Sequence, residues 1–163
     1  MALSMDVRVA NNQDFHAVLV LDRTFFSKIP GAVDGEHIVR VWIEQESVLL
    51  ALIDNHPVGY AIVFRQKNDD LNKPMFFLYK IGVLPAVRRR GIGKSLLAHV
   101  IDSLAKVHPE GFSLDLTVDP DNVNAVRLYA SIGFKERWPL RKDFYGPGKN
   151  RRVMTFASSG RKM

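Results

Sequence analysis

The stretch Ile81-Gly82-Val83-Leu84-Pro85-Ala86-Val87-Arg88-Arg89-Arg90-Gly91-Ile92-Gly93-Lys94-Ser95 constrains this chain more than any other. An apolar run ends at a proline, three arginines follow, two glycines stand one residue apart, and a long amphipathic pattern opens at Leu96. That order reads as strand, tight basic loop, helix. Glycines let backbone N–H groups approach a ligand closely. A helix N-terminus adds unpaired donors and a positive dipole end. With the arginines and Lys94, the stretch describes a socket for a phosphorylated ligand. The bland alternative is a solvated basic turn between a core strand and a surface helix.

Spacing decides which socket. A P-loop needs glycine where Arg88 stands, and a dinucleotide fingerprint needs a third glycine where Leu96 stands. Both fail. The pattern Arg-x-x-Gly-x-Gly, filled by Arg88, Gly91 and Gly93, does fit, and a second motif follows: Asn122-x-x-Ala125-x-x-x-Tyr129-x-x-x-Gly133-Phe134. On these residues the chain resembles the GNAT superfamily of acyl-CoA-dependent N-acetyltransferases. The resemblance is motif-grade over 79–134 and rests on element order elsewhere in 5–157. The ending Lys142-Asp143-Phe144-Tyr145-Gly146, then Val153-Met154, also resembles the ribosomal-protein and protein N-terminal acetyltransferase branch.

The chain has 163 residues, 47% of them hydrophobic, which suits one domain with a sizeable core. We expect a single domain over 1–157 and a disordered tail over 158–163. There is no cysteine, so disulfides and thiolate-ligated metals are excluded. The five histidines lack ligand spacing, and no metal site is expected. The first residues show no signal pattern, and no apolar run approaches the ~20 residues that span a bilayer. A soluble, cytoplasmic protein without membrane attachment is expected. Net charge is +6, from 23 Lys and Arg against 17 Asp and Glu, which points to an anionic partner. A polyphosphate cofactor and a nucleic acid both qualify.

Taken in order, residues 5–10 alternate as a half-buried strand, with Met5, Val7 and Val9 on one face. Asn11 or Asn12 caps a helix reaching about Ser27, and Pro30-Gly31 breaks the chain. Asp34 is expected to cap a second helix with Ile38, Val41 and Trp42 inward. Residues 47–53 and 58–65 make a hairpin about Asp54-Asn55-His56-Pro57. Residues 75–84, apolar on both faces, read as a central strand; Phe77, Tyr79, Ile81 and Val83 share one face and Leu78, Lys80, Gly82 and Leu84 the other. A helix then buries Leu96, Leu97, Val100, Ile101 and Leu104. A strand over 112–119 turns Leu114, Leu116 and Val118 one way and Ser113, Asp115, Thr117 and Asp119 the other. Asp121 or Asn122 caps the last helix, and Gly133 stops it. Strands over 134–138 and 151–157 flank a long loop containing Phe144 and Tyr145. The expected class is α/β of the mixed α+β kind. The resemblance implies a GNAT-like fold with a mixed, mostly antiparallel sheet of six to seven strands, about four helices, and splayed fourth and fifth strands.

The resemblance also implies chemistry. Backbone N–H groups of residues 89–94, with Ser95, would wrap the pyrophosphate of acetyl-CoA, and the side chains of Arg88, Arg89 and Arg90 would either reach its phosphates or remain solvated. Ile81, Gly82 and Val83 would pair with the pantetheine arm, and the Val83 N–H would meet the thioester oxygen. Asn122 matches the motif asparagine that contacts the CoA arm; alternatively it is a plain cap. Tyr129 occupies the motif tyrosine. A phenol of pKa about 10 can protonate a thiolate of pKa about 8.5; the alternative is a core tyrosine. An acid or histidine serves as base in related enzymes where Thr117 stands here, and threonine cannot accept a proton at neutral pH. Asp115 and Asp119 flank it on the same face and are the candidate bases. Phe77, aligned with a fourth-strand tyrosine of one N-terminal branch, and Tyr79, Thr117 and Tyr145 are candidate acceptor-binding residues. Glu36, Glu44 and Glu46 could recognise a cationic amine or only be solvated.

The resulting expectation is an acetyl-CoA-dependent N-acetyltransferase, monomeric or homodimeric, acting on a primary amine of a small molecule, peptide or protein by direct attack. Two rivals remain: a CoA-binding module without turnover, motivated by Thr117, and a basic nucleic-acid-binding protein. The absence of aromatic–basic interleaving along the chain argues against the second.

Overall fold

The computed structural model describes residues 4–67 and 73–160. The first three residues, residues 68–72 and the end of the expected tail lie outside the described residues. The elements follow as β1 (Met5–Val9), α1 (Phe15–Phe26), α2 (Glu36–Glu44), β2 (Val48–Ile53), β3 (His56–Gln66), β4 (Met75–Val83), α3 (Ile92–Val107), β5 (Ser113–Val118), α4 (Val123–Ile132), β6 (Lys135–Glu136) and β7 (Arg152–Ala157). The strands form one sheet in the order β1-β2-β3-β4-β5-β7-β6. Pairing is antiparallel for β1–β2, β2–β3, β5–β7 and β6–β7 and parallel for β4–β5. The mixed, mostly antiparallel sheet with four helices is the expected architecture. No helix among the described residues is long and apolar enough to cross a membrane.

The chain divides into two compact units, residues 1–63 with 80–100 and residues 64–79 with 101–163. In the first, Asn11 caps a short 3-10 turn, Asn12–Asp14, that leads into α1; its side chain accepts from the Gln13 N–H while Asp14 reaches back to the Asn11 N–H. This reciprocal box satisfies donors that a helix start would otherwise orphan. Asp54 and Asn55 both have positive φ, the conformation a two-residue hairpin turn demands. Val18, Leu50, Tyr60, Ile62, Leu96 and Leu97 are sealed from solvent in this unit.

Three expectations need correction here. Met5 and Val9 are exposed, because β1 is an edge strand. The inward stripe of α2 is Val39, Trp42 and Ile43, one residue out of phase with the expected one, and Ile38 is exposed. Asp34 does not cap α2, whose N-cap is Gly35. Its carboxylate goes to the Lys80 ammonium at 2.6 Å instead, a charge-assisted bond stronger than a cap.

In the second unit, β5 alternates as expected, with Leu114, Leu116 and Val118 buried. Phe112 and Phe134 add to this core, and the rings of Phe76, Phe112, Phe156 and Phe134 succeed one another in that order at 5.8–6.3 Å. Asn122 caps α4, accepting from the Ala125 N–H, and Gly133 closes it at φ 113°. The strand expected over 134–138 shrinks to Lys135–Glu136. Pro139 lacks the N–H that would extend the ladder, and the two segments meet again at the Arg141–Arg151 bridge. Ser158 donates its N–H to Phe112 C=O.

Candidate functional site

In the first unit, the end of β4 leads through a basic loop into α3. Leu84 N–H donates to Val58 C=O at 2.8 Å, and Gly82 C=O stands on that same side, 2.8 Å from an ideal Cβ on Gly59. Main-chain groups alternate sides along a strand. Ile81 and Val83 therefore turn their N–H and C=O groups away from β3. The Val83 carbonyl is held by Arg88, whose Nε donates to it at 3.0 Å. One of the three arginines thus braces the strand end.

Beyond a 3-10 turn at Pro85–Val87, Arg89 and Gly91 adopt the left-handed conformation at φ 62° and 77°. The helix then begins at Ile92, four residues before the expected pattern, so Gly93, Lys94 and Ser95 lie in its first turn. Ser95 N–H returns to Gly91 C=O, but the N–H groups of residues 89–94 find no acceptor among the described residues. A run of unpaired amides, a helix N-terminus and the Arg89, Arg90 and Lys94 charges thus share one loop, a combination that favours an anion. The loop residues expected to hold a cofactor are brought together here.

In the second unit, the parallel ladder of β4 and β5 covers Met75–Ser113, Phe76–Leu114, Phe77–Asp115 and Leu78–Leu116. Phe77 lies beside Asp115, whose Oδ1 accepts from Thr155 Oγ1 at 2.6 Å. Tyr79 packs its ring 5.5 Å from Phe64. Asp119 lies past the strand; one oxygen accepts from the Asp121 N–H and the other meets Arg151 at 3.4 Å. Thr117 Oγ1 lies 3.2 Å from Tyr145 Oη, which draws the long loop onto β5. Tyr129 is buried on α4 with its ring 5.7 Å from Phe134. Burial pushes its phenol up to about 12, so it stays protonated throughout the neutral range.

The sequence reading missed Lys80 and Asp22. Lys80 Nζ meets Asp22, Asp34 and the Ala32 carbonyl, and Tyr60 Oη donates to the same Asp22 oxygen. The available signal was a lysine inside an apolar strand and an aspartate beside the apolar stripe of α1. Of the glutamates expected to meet an amine, Glu36 stands 3.9 Å from Arg23 and Glu46 lies in the turn after α2.

A mixed sheet in the order β1-β2-β3-β4-β5-β7-β6, with β4 and β5 parallel, places the chain in the α/β class. The sequence model described as "Acetyltransferase (GNAT) family" matches residues 16–134, and the chain belongs to that family. It is 41% identical over 69 residues to the [Ribosomal protein bS18]-alanine N-acetyltransferase of Escherichia coli, covering 42% of this chain and 44% of that protein. It is 37% identical over 70 residues to N-alpha-acetyltransferase 40 of Saccharomyces cerevisiae, covering 40% and 25%. These matches span less than half the length of either relative. Among solved structures, Arabidopsis thaliana Naa50 in complex with a bisubstrate analogue superposes with a TM-score of 0.77 at 21% identity, over 94% of this chain and 98% of that one. The ribosomal-protein-S18-alanine N-acetyltransferase of Escherichia coli gives 0.75 at 22%, over 98% and 97%. Both likenesses are of fold.

Proposed function

We propose that residues 1–157 form one acetyl-CoA-dependent N-acetyltransferase domain acting on a primary amine. The observation that carries this reading is the loop after β4, where the amides of residues 89–94 stand unpaired beside three cationic side chains in a chain of this family. Those amides, with Lys94 and Ser95, hold the pyrophosphate, and Asn122 contacts the arm. When bound, acetyl-CoA supplies an activated acyl group whose carbon–sulfur bond breaks as the carbon–nitrogen bond forms.

The chain's residues supply the rest. The Val83 N–H turns away from β3 and is the donor for the carbonyl oxygen as it gains charge. Tyr129 gives its proton to the departing sulfur. The amine proton leaves through Asp115 or Asp119; Asp115 is the better placed, being on the ladder beside Phe77 and held by Thr155. Phe77, Tyr79, Thr117 and Tyr145 line the acceptor side. We assign the acceptor to a peptide or protein amine, supported by the Tyr145 contact to Thr117, by the relatives named as ribosomal-protein and N-alpha-acetyltransferases, and by the solved neighbour carrying a peptide-like bisubstrate analogue. A cysteine-free chain suits a reducing cytoplasm.

The test is calorimetric titration with acetyl-CoA, CoA and ATP, followed by a panel of N-terminal peptides and small amines. Tight binding of both CoA forms with weak ATP binding, and acetylation of peptides, is expected. No binding of either CoA form would end the reading. Binding without turnover on any amine would favour the CoA-binding module that Thr117 motivates.

A further inference from the structure

Residues 135–152 carry seven Lys and Arg against two Asp and Glu, a net +5 in a chain of net +6. Arg151 meets Asp119 and Arg152 meets Glu136. Lys135, Arg137, Arg141, Lys142 and Lys149 have no carboxylate at ion-pair distance among the described residues. The same segment exposes Trp138, Leu140, Phe144 and Tyr145, with Trp138 49% exposed.

These charges and rings are interleaved in space. The Arg137 and Arg141 guanidiniums lie 5.6 and 6.0 Å from the Trp138 ring. Arg141 pairs across the hairpin with Arg151, whose guanidinium lies 5.2 Å from the Tyr145 ring. Phe144 stands edge-on to Tyr145 at 4.7 Å. Two exposed aromatic centres are thus joined by a basic backbone bridge. This corrects the expectation that the chain lacks aromatic–basic interleaving: Arg137-Trp138 and Arg141-Lys142-Asp143-Phe144-Tyr145 already alternate in sequence, and the hairpin adds Arg151 to them.

We propose that this hairpin surface binds single-stranded RNA. Uncommitted cations suit a phosphate chain, and exposed rings flanked by guanidiniums offer faces on which unpaired bases stack. An acidic protein segment would use the charges but not the rings. RNA is the nucleic acid that ordinarily presents unstacked bases in loops and ends. The inference does not depend on the transferase reading, since it involves none of the residues assigned to that site except the neighbouring Tyr145.

The test uses the full chain and oligo(U) of about ten nucleotides, within the ~4–16 that such platforms cover. Trp42 is buried and Trp138 exposed, and they are the two tryptophans, so quenching reports on Trp138. Anisotropy of labelled RNA gives affinity. Binding should weaken with salt, by about 0.7 in the log–log slope per phosphate neutralised. The double variant Arg137→Glu/Arg141→Glu should lower that slope by about 1.4 and abolish most binding. Trp138→Ala should cost about fivefold or more. Both variants should bind acetyl-CoA as the parent does, so this proposal and the transferase reading fail separately. Binding that is insensitive to salt, or unchanged in both variants, overturns the proposal. So does equal competition by polyglutamate, which would reassign the surface to acidic protein segments, or tighter binding of oligo(dT).

Discussion

Lys80 Nζ stands 2.7 Å from Asp22 Oδ1, joining β4 to α1 across 58 positions of sequence, with both side chains withdrawn from solvent. The ammonium's other protons go to Asp34 Oδ2 at 2.6 Å and Ala32 C=O at 2.5 Å. Asp22 in turn accepts from Tyr60 Oη and from the Asp34 N–H. Phe26 and Trp42 rings lie 4.8 and 5.3 Å from the charge. The cluster ties the link between α1 and α2 to the strand that leads into the arginine–glycine loop.

Removing one partner leaves a buried charge. Lys80→Met should therefore cost about 3–5 kcal/mol, the range for breaking a buried pair. At about 2–4 °C per kcal/mol for a chain of this size, the melting temperature should fall by roughly 6–20 °C. Lys80→Met/Asp22→Asn should recover part of the loss, because the more deeply buried of the two orphaned carboxylates is gone while Asp34 remains. Calorimetric melting of the parent and the two variants checks this; a single variant no worse than the double would show that the pair is not coupled.

Gly82 and Gly91 should fail differently. A Cβ on Gly82 would lie 2.2 Å from the Phe25 ring, and that ring is stacked on Tyr60 at 5.5 Å with nowhere simple to retreat. Gly82→Ala should cost about 1–3 kcal/mol, the range for overpacking. A Cβ on Gly91 meets nothing within 4 Å, but the residue sits at φ 77°. Gly91→Ala should cost only about 1–2 kcal/mol of stability while re-aiming the amides around it. Paired melting curves and acetyl-CoA titrations separate the two: the first variant should be mainly a stability mutant and the second mainly an affinity mutant.

How far the sequence foretold this follows from what sequence patterns can carry. The loop was legible because glycine spacing and an arginine run encode a local shape. The caps at Asn11 and Asn122 were legible for the same reason. The Lys80 cluster was not, since its members lie on four separate segments and only folding brings them together. It also explains the misread cap, for Asp34 has the right residue type for capping and a stronger partner elsewhere. The onset of α3 was read late because Gly93 and Lys94 carry no apolar periodicity; the amide geometry around Gly91 sets it instead. The basic surface about Trp138 was legible in part, since Arg137-Trp138 and Arg141-Lys142-Asp143-Phe144-Tyr145 are neighbours in sequence; what the hairpin adds is Arg151, brought beside Tyr145 through the bridge to Arg141.

Arg88 offers a narrower test. Its Nε bond to Val83 C=O fixes the loop to the strand end, and hydrogen bonds from charged donors contribute about 1.5–3 kcal/mol. Arg88→Ala should weaken acetyl-CoA binding by about tenfold or more. Arg88→Lys should not rescue it, because an ammonium on a flexible stem lacks the guanidinium's fixed geometry. Calorimetry on both variants decides; full rescue by lysine would show that only charge matters at this position.

Tyr129→Phe joins a kinetic and a stability outcome. If the phenol protonates the departing sulfur, kcat should fall by about a hundredfold or more while acetyl-CoA affinity is kept. Because burial raises the phenol to about 12, parent and variant should show no acid limb from this group in the neutral range. The folded state favours the neutral form more than the unfolded chain does, where tyrosine titrates near about 10. That contribution is fully present below about pH 10 and is lost as pH rises from about 10 to 12, by at most about 3 kcal/mol. Urea melts across that interval should show the parent losing stability more steeply than Tyr129→Phe, which has no proton to lose. Equal slopes would place the phenol in contact with solvent, and an unchanged kcat would leave Tyr129 a core residue with no part in the transfer.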